Sequence, residues 1–235
     1  MPSETFFHLA ADLRKLGGRR VWSLMVSLFG DLAQTNGDRV EGPVLMAIMA
    51  VLDVKPEAAR VALHRLRKDD WITSTKQGRI SHHQLTSKGR SESASASPRI
   101  YSTPNSDPEG WQLVLLDAPT AKAPRNFVQL LPRILLGPID APLPARAMAF
   151  SGQTAPEWLK EELVPTALID DYAKLHDTLR NLSSALPEPA NLSAMDTAVL
   201  RCLVVHNWRR LVLKHPATPP ALINHDAAHH KCHLI

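Results

Sequence analysis

The stretch from Gly42 to Trp71, GPVLMAIMAVLDVKPEAARVALHRLRKDDW, has little freedom in how it folds. Pro43 and Pro56 each open an apolar run, and proline suits the first turn of a helix because its missing N–H is not needed there. Between the two runs Asp53-Val54-Lys55 is a short connection, so the segment reads as a helix-turn-helix. In the second helix, Pro56 to about Asp70, an advance of about 100° per residue places Ala58, Ala59, Ala62, Leu63 and Leu66 on one side. Glu57, Arg60, His64, Arg67 and Lys68 fall on the opposite arc. One face looks inward and the other is basic, the form of an element that enters a DNA major groove.

What precedes this stretch supports it. Thr5 to Leu16 reads as a short amphipathic helix ended by Gly17-Gly18, and Arg19 to Ala33 as a largely buried helix, the main core element of the first domain. The polar turn Gln34 to Arg39 follows. After Trp71, two strand-like runs flank Gln77-Gly78, which predicts a β-hairpin to Thr86 with Lys76 and Arg79 at its tip. From Ser87 to Asp107 the chain is rich in Ser, Ala and Pro with little to bury, and is expected to be an interdomain linker.

A second globular segment begins at Gly110. The run Gly110 to Pro119 reads as a buried strand, Arg125 to Ile139 as a helix that ends or kinks near Pro132, and Ala145 to Phe150 as another strand, together a small α/β unit. The remainder is expected to be helical over Pro156 to Leu163, Leu168 to Leu182 and Ser193 to Leu213, the last opened by Ser193 with Asp196 three residues on. No catalytic constellation is visible: there is no Gly-rich phosphate loop, no Gly-x-Ser-x-Gly and no recognisable carboxylate pair.

Charge is unevenly spread. Residues 1–90 hold 14 Lys and Arg against 9 Asp and Glu, leaving 13 against 14 for the rest, so the excess of +4 belongs to the N-terminal part and favours a polyanion partner there. No run of about 18 apolar residues and no basic start followed by an apolar core occurs, so neither a membrane span nor a signal peptide is supported and a cytoplasmic protein is expected. Cys202 and Cys232 are no disulfide framework.

Three stretches, Ser23 to Leu32, Glu57 to Arg90 and Val204 to Pro216, resemble the PaaX family of bacterial transcriptional regulators. The middle one is the most specific, because the helix, Trp71, the Gly78-Arg79 hairpin and the closing Leu85-Thr86 recur in register. Lys55 departs from the pattern, standing where a small capping residue is expected, and Lys214-His215-Pro216 replaces the usual Arg-Asp-Pro. The resemblance implies an α+β protein with a winged helix-turn-helix, a central ferredoxin-like domain and a C-terminal helical region. In residue terms the divisions are 1–90, a linker at 91–108, 109–152, and 153–235 for effector binding and dimerisation. It further implies a homodimer on a double-stranded DNA operator, repressing a catabolic operon for aromatic compounds and released by a phenylacetyl-CoA-like thioester.

On this reading Lys55, Arg60, His64, Arg67 and Lys68 contact DNA, with Arg60 or Arg67 reading guanine edges and Lys68 a phosphate, while Lys76 and Arg79 touch phosphates or the minor groove. His206 and Arg210, four apart on one helix side, form a candidate anion site for a CoA phosphate. In the tail, His225, His229 and either Cys232 or His233 would share a helix face at metal-ligand spacing, although a terminus that frays seldom holds a closed site, which weighs against zinc. No cofactor is required. The alternative from another class is an enzyme or protein-interaction module that uses the winged helix as a docking surface.

Overall fold

In a computed structural model of the chain the described residues are 4–17, 20–101, 110–124, 126–186, 192–215, 218, 222 and 228–235. They form a mixed α/β structure in two compact units, one of Met1–Ser102 with Asp177–Leu213 and the other of Thr103–His176 with Lys214–Ile235.

The first unit is built on helix α2 (Val21–Leu32), which buries Met25, Leu28 and Phe29 and packs against α4 (Pro56–Lys68) and α8 (Ala194–Val212). Helix α1 (Glu4–Leu16) also lies on α8, burying Phe6, Ala10 and Leu13. As expected, Ser193 and Asp196 form a capping box at the start of α8.

The helix pair α3 (Gly42–Val51) and α4 is punctuated twice by the same device. Val54 N–H bonds Met49 C=O and Asp53 N–H bonds Ala50 C=O; Trp71 N–H bonds Leu66 C=O and Asp70 N–H bonds Arg67 C=O. In each case an aspartate holds the left-handed position, Asp53 at φ 59° and Asp70 at φ 58°. Both are Schellman closures, in which a short polar side chain stands where glycine is commonest. The first turns the chain into α4, and the second aims it into the hairpin β2 (Ile72–Gln77) and β3 (Ile80–Leu85). Gly78, at φ +61°, makes the hairpin turn, and a short strand β1 (Val40–Glu41) pairs with β3 to give the order β1-β3-β2.

The expected linker is in large part a helix. Residues Ser87–Tyr101 form α5, capped by Thr86, whose Oγ1 accepts the Gly89 N–H at 3.0 Å. Its small residues are a packing surface: Ser93 lies over Gly30 of α2, where an added methyl would sit 3.2 Å from Ser93 Oγ. Ile100 is buried, and the Trp208 indole donates to its carbonyl at 2.9 Å. Residues 102–108 of the expected linker lie outside the described residues.

The second unit holds a four-stranded antiparallel sheet in the order β5-β6-β4-β7, with β4 Trp111–Leu116, β5 Val128–Leu131, β6 Ile134–Pro138 and β7 Ala147–Gly152. Strands β4 and β7 fall where expected. The helix expected over Arg125 to Ile139 is instead the hairpin β5–β6. Pro132 and Arg133 make its turn, Pro132 C=O accepts from Thr120 N–H, and Arg133 Nε donates to Leu116 C=O at 2.9 Å. A proline at a turn loses no ladder bond, whereas in a helix interior it would. Among the described residues no helix joins these strands. One face of the sheet packs Val114, Leu116, Phe127 and Leu135, and Leu136 packs with Leu163 of α6 (Glu157–Leu163) and Leu222. Helix α7 (Thr166–Ala185) and a short α9 (Ala228–His233) complete the elements described.

Candidate nucleic-acid interface

Helix α4 presents the basic face its spacing predicts. Ala59, Ala62, Leu63 and Leu66 are buried, while Lys55, Arg60, His64, Arg67 and Lys68 are exposed. Ala58, expected among the inward residues, is exposed in the first turn of the helix. Burial of the opposite side gives α4 its orientation, and the two Schellman closures fix its ends.

Between α4 and the hairpin runs an open cleft of about 620 Å³. Arg60 and Arg67 line it from the helix, Lys76 and Arg79 from the hairpin, and no acidic side chain is among its described lining residues. Lys76 and Arg79 are on the surface. His64, Lys68 and Lys55 lie on the exposed helix face but outside the cleft, so the expected set divides in two. Arg60 stands 3.5 Å from Glu57 on the surface, a pairing weak enough to yield to a phosphate or base.

The cleft floor holds residues that the sequence reading missed. Arg67 Nη1 approaches Ser74 Oγ at 3.5 Å, and the same hydroxyl lies 2.8 Å from Nδ1 of His83, directly across the hairpin. Ser81 Oγ is 3.4 Å from Nε2 of the same ring. Burial, then the charge of Arg67, then His82, lowers the His83 pKa below its ordinary value, so the imidazole is neutral at pH 7. In the tautomer whose Nδ1 is unprotonated, the ring accepts the Ser74 proton and leaves a Ser74 lone pair for Arg67. The strand alternation could have shown this pair, since Ser74 and His83 share a face of the hairpin once its turn is placed at Gly78.

Trp71 joins helix to hairpin. Its ring meets Trp22 edge-on at 6.3 Å, and Arg65 lies 5.1 Å over Trp22. Arg65 is thereby committed to the base of the unit, a cation on α4 that takes no part in the cleft.

The other candidate sites are arranged differently from their sequence reading. His206 is buried, with Nδ1 3.0 Å from Ser27 Oγ of α2, and Arg210 donates to Leu16 C=O at 2.8 Å. They are not a paired surface patch. In the tail, the buried Cys232 thiol donates to Tyr172 C=O at 3.5 Å. His229 stacks on His215 at 4.5 Å and meets Tyr172 edge-on. Among the described residues no group of three ligating side chains is assembled, and His225 lies outside them. The other cysteine, Cys202, is buried in α8, which pushes its thiol up to about 12 and keeps it protonated.

A family model described as PaaX-like protein matches residues 20–89, and one described as PaaX-like protein C-terminal domain matches residues 165–234. The chain belongs to the PaaX family. The first PaaX match begins beside α2 and ends in the first turn of α5, enclosing the whole cleft. Among curated proteins, the transcriptional repressor PaaX of Escherichia coli K12 is 25% identical, over 96% of this chain and 80% of its own length. An uncharacterised Mycobacterium tuberculosis protein, Rv0674, shares the fold with a TM-score of 0.54 at 15% identity, over 90% of this chain and 93% of its own. Among the described residues no helix is long and apolar enough to cross a membrane.

Proposed function

We propose that this PaaX-family protein is a DNA-binding transcriptional repressor without catalytic activity, acting as a homodimer in the cytoplasm, in which α3, α4 and the β2–β3 hairpin work as a winged helix-turn-helix. The observation that carries this reading is the cleft between helix and wing, lined by Arg60, Arg67, Lys76 and Arg79 and by no acid among the described residues. An exposed helix of this width fits the major groove, with its arginines at base edges and the wing cations at the flanking backbone. The repressor role of the Escherichia coli relative supports the same direction of regulation. The strand order β5-β6-β4-β7 supports reading the second unit as a ferredoxin-like sheet stripped of its connecting helices. By the family likeness, the target is a catabolic operon and the releasing signal a CoA thioester of phenylacetyl-CoA type.

The test is binding to the DNA upstream of the protein's own gene, against scrambled DNA, by fluorescence anisotropy over a salt series. A specific reader prefers its site by about a thousandfold or more. Equal, weak and salt-labile binding to both would instead mark the helix and wing as a docking surface for other proteins.

A further inference from the structure

A second cavity, of about 490 Å³, lies within the first unit on the side of α4 where the helix begins. Its walls are apolar: Leu13 of α1, Val21 and Leu24 of α2, Leu52 and Val54 beside the first Schellman turn, and Leu203 of α8. Its rim is cationic, with Arg14, Lys15, Arg20 and Lys55, and Asp53 is the single carboxylate among its described lining residues. Lys15 also pairs with Asp12 at 2.8 Å on the exposed surface, a contact weak enough to exchange for a ligand's anion. A cavity of this size, apolar within and polar at a few convergent points, has the proportions of a small-molecule site.

Two details show what such a molecule would be. Lys55 is the N-cap of α4 and offers no side-chain cap, so the positive end of that helix opens at the rim with nothing from the cap residue to complement it. At the floor, Asn207 is 1% exposed. Its Nδ2 donates to both Leu13 C=O at 2.9 Å and Leu203 C=O at 3.0 Å, which fixes the amide's orientation and leaves Oδ1 with no hydrogen-bond partner among the described residues. Buried acceptors are ordinarily satisfied, so this one is poised for a donor. Gly17 lies directly beside it: a methyl there would stand 3.1 Å from Oδ1.

We propose that this cavity binds an organic anion with an apolar body, its negative group held at the rim by Arg20, Lys15 and Lys55, and an N–H or O–H of its middle reaching Asn207 Oδ1. Such an occupant touches Val54, Lys55 and Ala58, the turn and first residues of the helix that carries Arg60 and Arg67. A ligand that fits one position of that turn better than another shifts α4 between them by its difference in affinity. The site would thus be where the releasing signal of the proposed repressor acts, and only this last consequence rests on that reading.

The test separates the two. Full-length protein is titrated with anilinonaphthalene sulfonate, an apolar anion, and with its uncharged relative phenylnaphthylamine, following fluorescence and the melting midpoint. Saturable binding of the sulfonate at one site per chain, with a raised midpoint, is expected, and about tenfold weaker binding in Leu24→Trp and in the surface pair Lys15→Glu/Arg20→Glu. The surface pair keeps the test valid if the core variant fails to fold. Unsaturable uptake, unchanged affinity in the surface pair, or equal affinity for the uncharged relative overturns the site. With the site established, a phenylacetyl-CoA arm decides the consequence. Displacement of the sulfonate together with release of DNA supports it, and displacement without release, or no displacement, leaves an anion site and overturns its role in thioester sensing.

Discussion

Asp31 of α2 and Arg201 of α8, 170 positions apart, meet in a two-point ion pair, Nε to Oδ2 at 2.6 Å and Nη2 to Oδ1 at 2.8 Å. The carboxylate side chain is 1% exposed, and it also accepts the Tyr101 hydroxyl of α5 at 2.6 Å. One acid therefore ties three helices of the first unit. The aspartate raises the pKa of both partners, acting on Tyr101 after burial and on Arg201 through the hydrogen bond first. Asp31→Asn keeps the shape and loses the charge, so three charge-assisted bonds weaken at once. A loss of about 1–3 kcal/mol in urea denaturation is expected. An unchanged midpoint would mean that solvent at half-exposed Arg201 already offsets the pair.

Gly89 faces a different constraint. A methyl at this position of α5 would meet the Trp71 carbonyl oxygen at 2.2 Å and Leu85 Cδ2 at 3.1 Å. The oxygen is backbone and cannot rotate away, so α5 must shift from Trp71 and the end of β3. Although alanine is the better helix former, Gly89→Ala should destabilise by about 1–3 kcal/mol. A variant as stable as the parent, measured by thermal unfolding, would show that the α5 start has room to move.

His229 links stability to pH. Burial first, then His215, His230 and His233, lowers its pKa to about 3 from the ordinary 6.5. The unfolded chain therefore binds a proton that the folded chain refuses between these values. Its stabilising contribution is complete above pH 6.5 and is lost as pH falls toward 3, with a slope of up to about 1.4 kcal/mol per unit. His83, lowered in the same direction, adds to the loss in the first unit. The His229→Gln protein should lose stability less steeply between about pH 6 and pH 4 than the parent. Parallel losses would assign the acid sensitivity to other groups.

How much of this was legible depends on where the determining contacts lie. The helix pair and the β2–β3 hairpin were readable because their signals are local: Pro43 and Pro56 at helix starts, Gly78 at the turn, apolar spacing along α4. The helix at Ser87–Tyr101 was not, since its serines become a packing surface only against Gly30, which lies far back in the chain. The run Val128 to Pro138 is apolar enough for either helix or strand, and the bond from Arg133 to Leu116 belongs to a neighbouring strand. His206 looked like a helix-surface residue because Ser27, the group that buries with it, is 179 positions away. The division of the cations on α4 into those in the cleft and those outside it likewise depends on where the wing folds back.

On the proposed reading, that division would separate base reading from phosphate attraction at the cleft. Arg67 Nη1 lies 3.5 Å from Ser74 Oγ, and that hydroxyl is 2.8 Å from His83 Nδ1, a contact that biases the guanidinium toward the cleft. A pre-set arginine is suited to two-point recognition of a guanine edge, an interaction that discriminates by about 1–3 kcal/mol against the wrong base. Arg67→Ala should lose that preference at one base position while keeping binding to scrambled DNA. Ser74→Ala should lose part of it, with the charge still present. Among the described residues no side-chain hydrogen bond or ion pair holds exposed Lys76, near the end of β2, or Arg79, in the turn, and on the proposed reading both would meet phosphates whatever the sequence. Their joint replacement by alanine should weaken binding to all DNA alike and reduce the salt slope by about 2, roughly one unit for each phosphate no longer neutralised. Anisotropy titrations over a salt series, on DNA differing at single positions, measure both quantities together. If Arg67→Ala retained full discrimination, or the wing variant kept its salt slope, the cleft would not be divided in this way between a reading helix and an attracting wing.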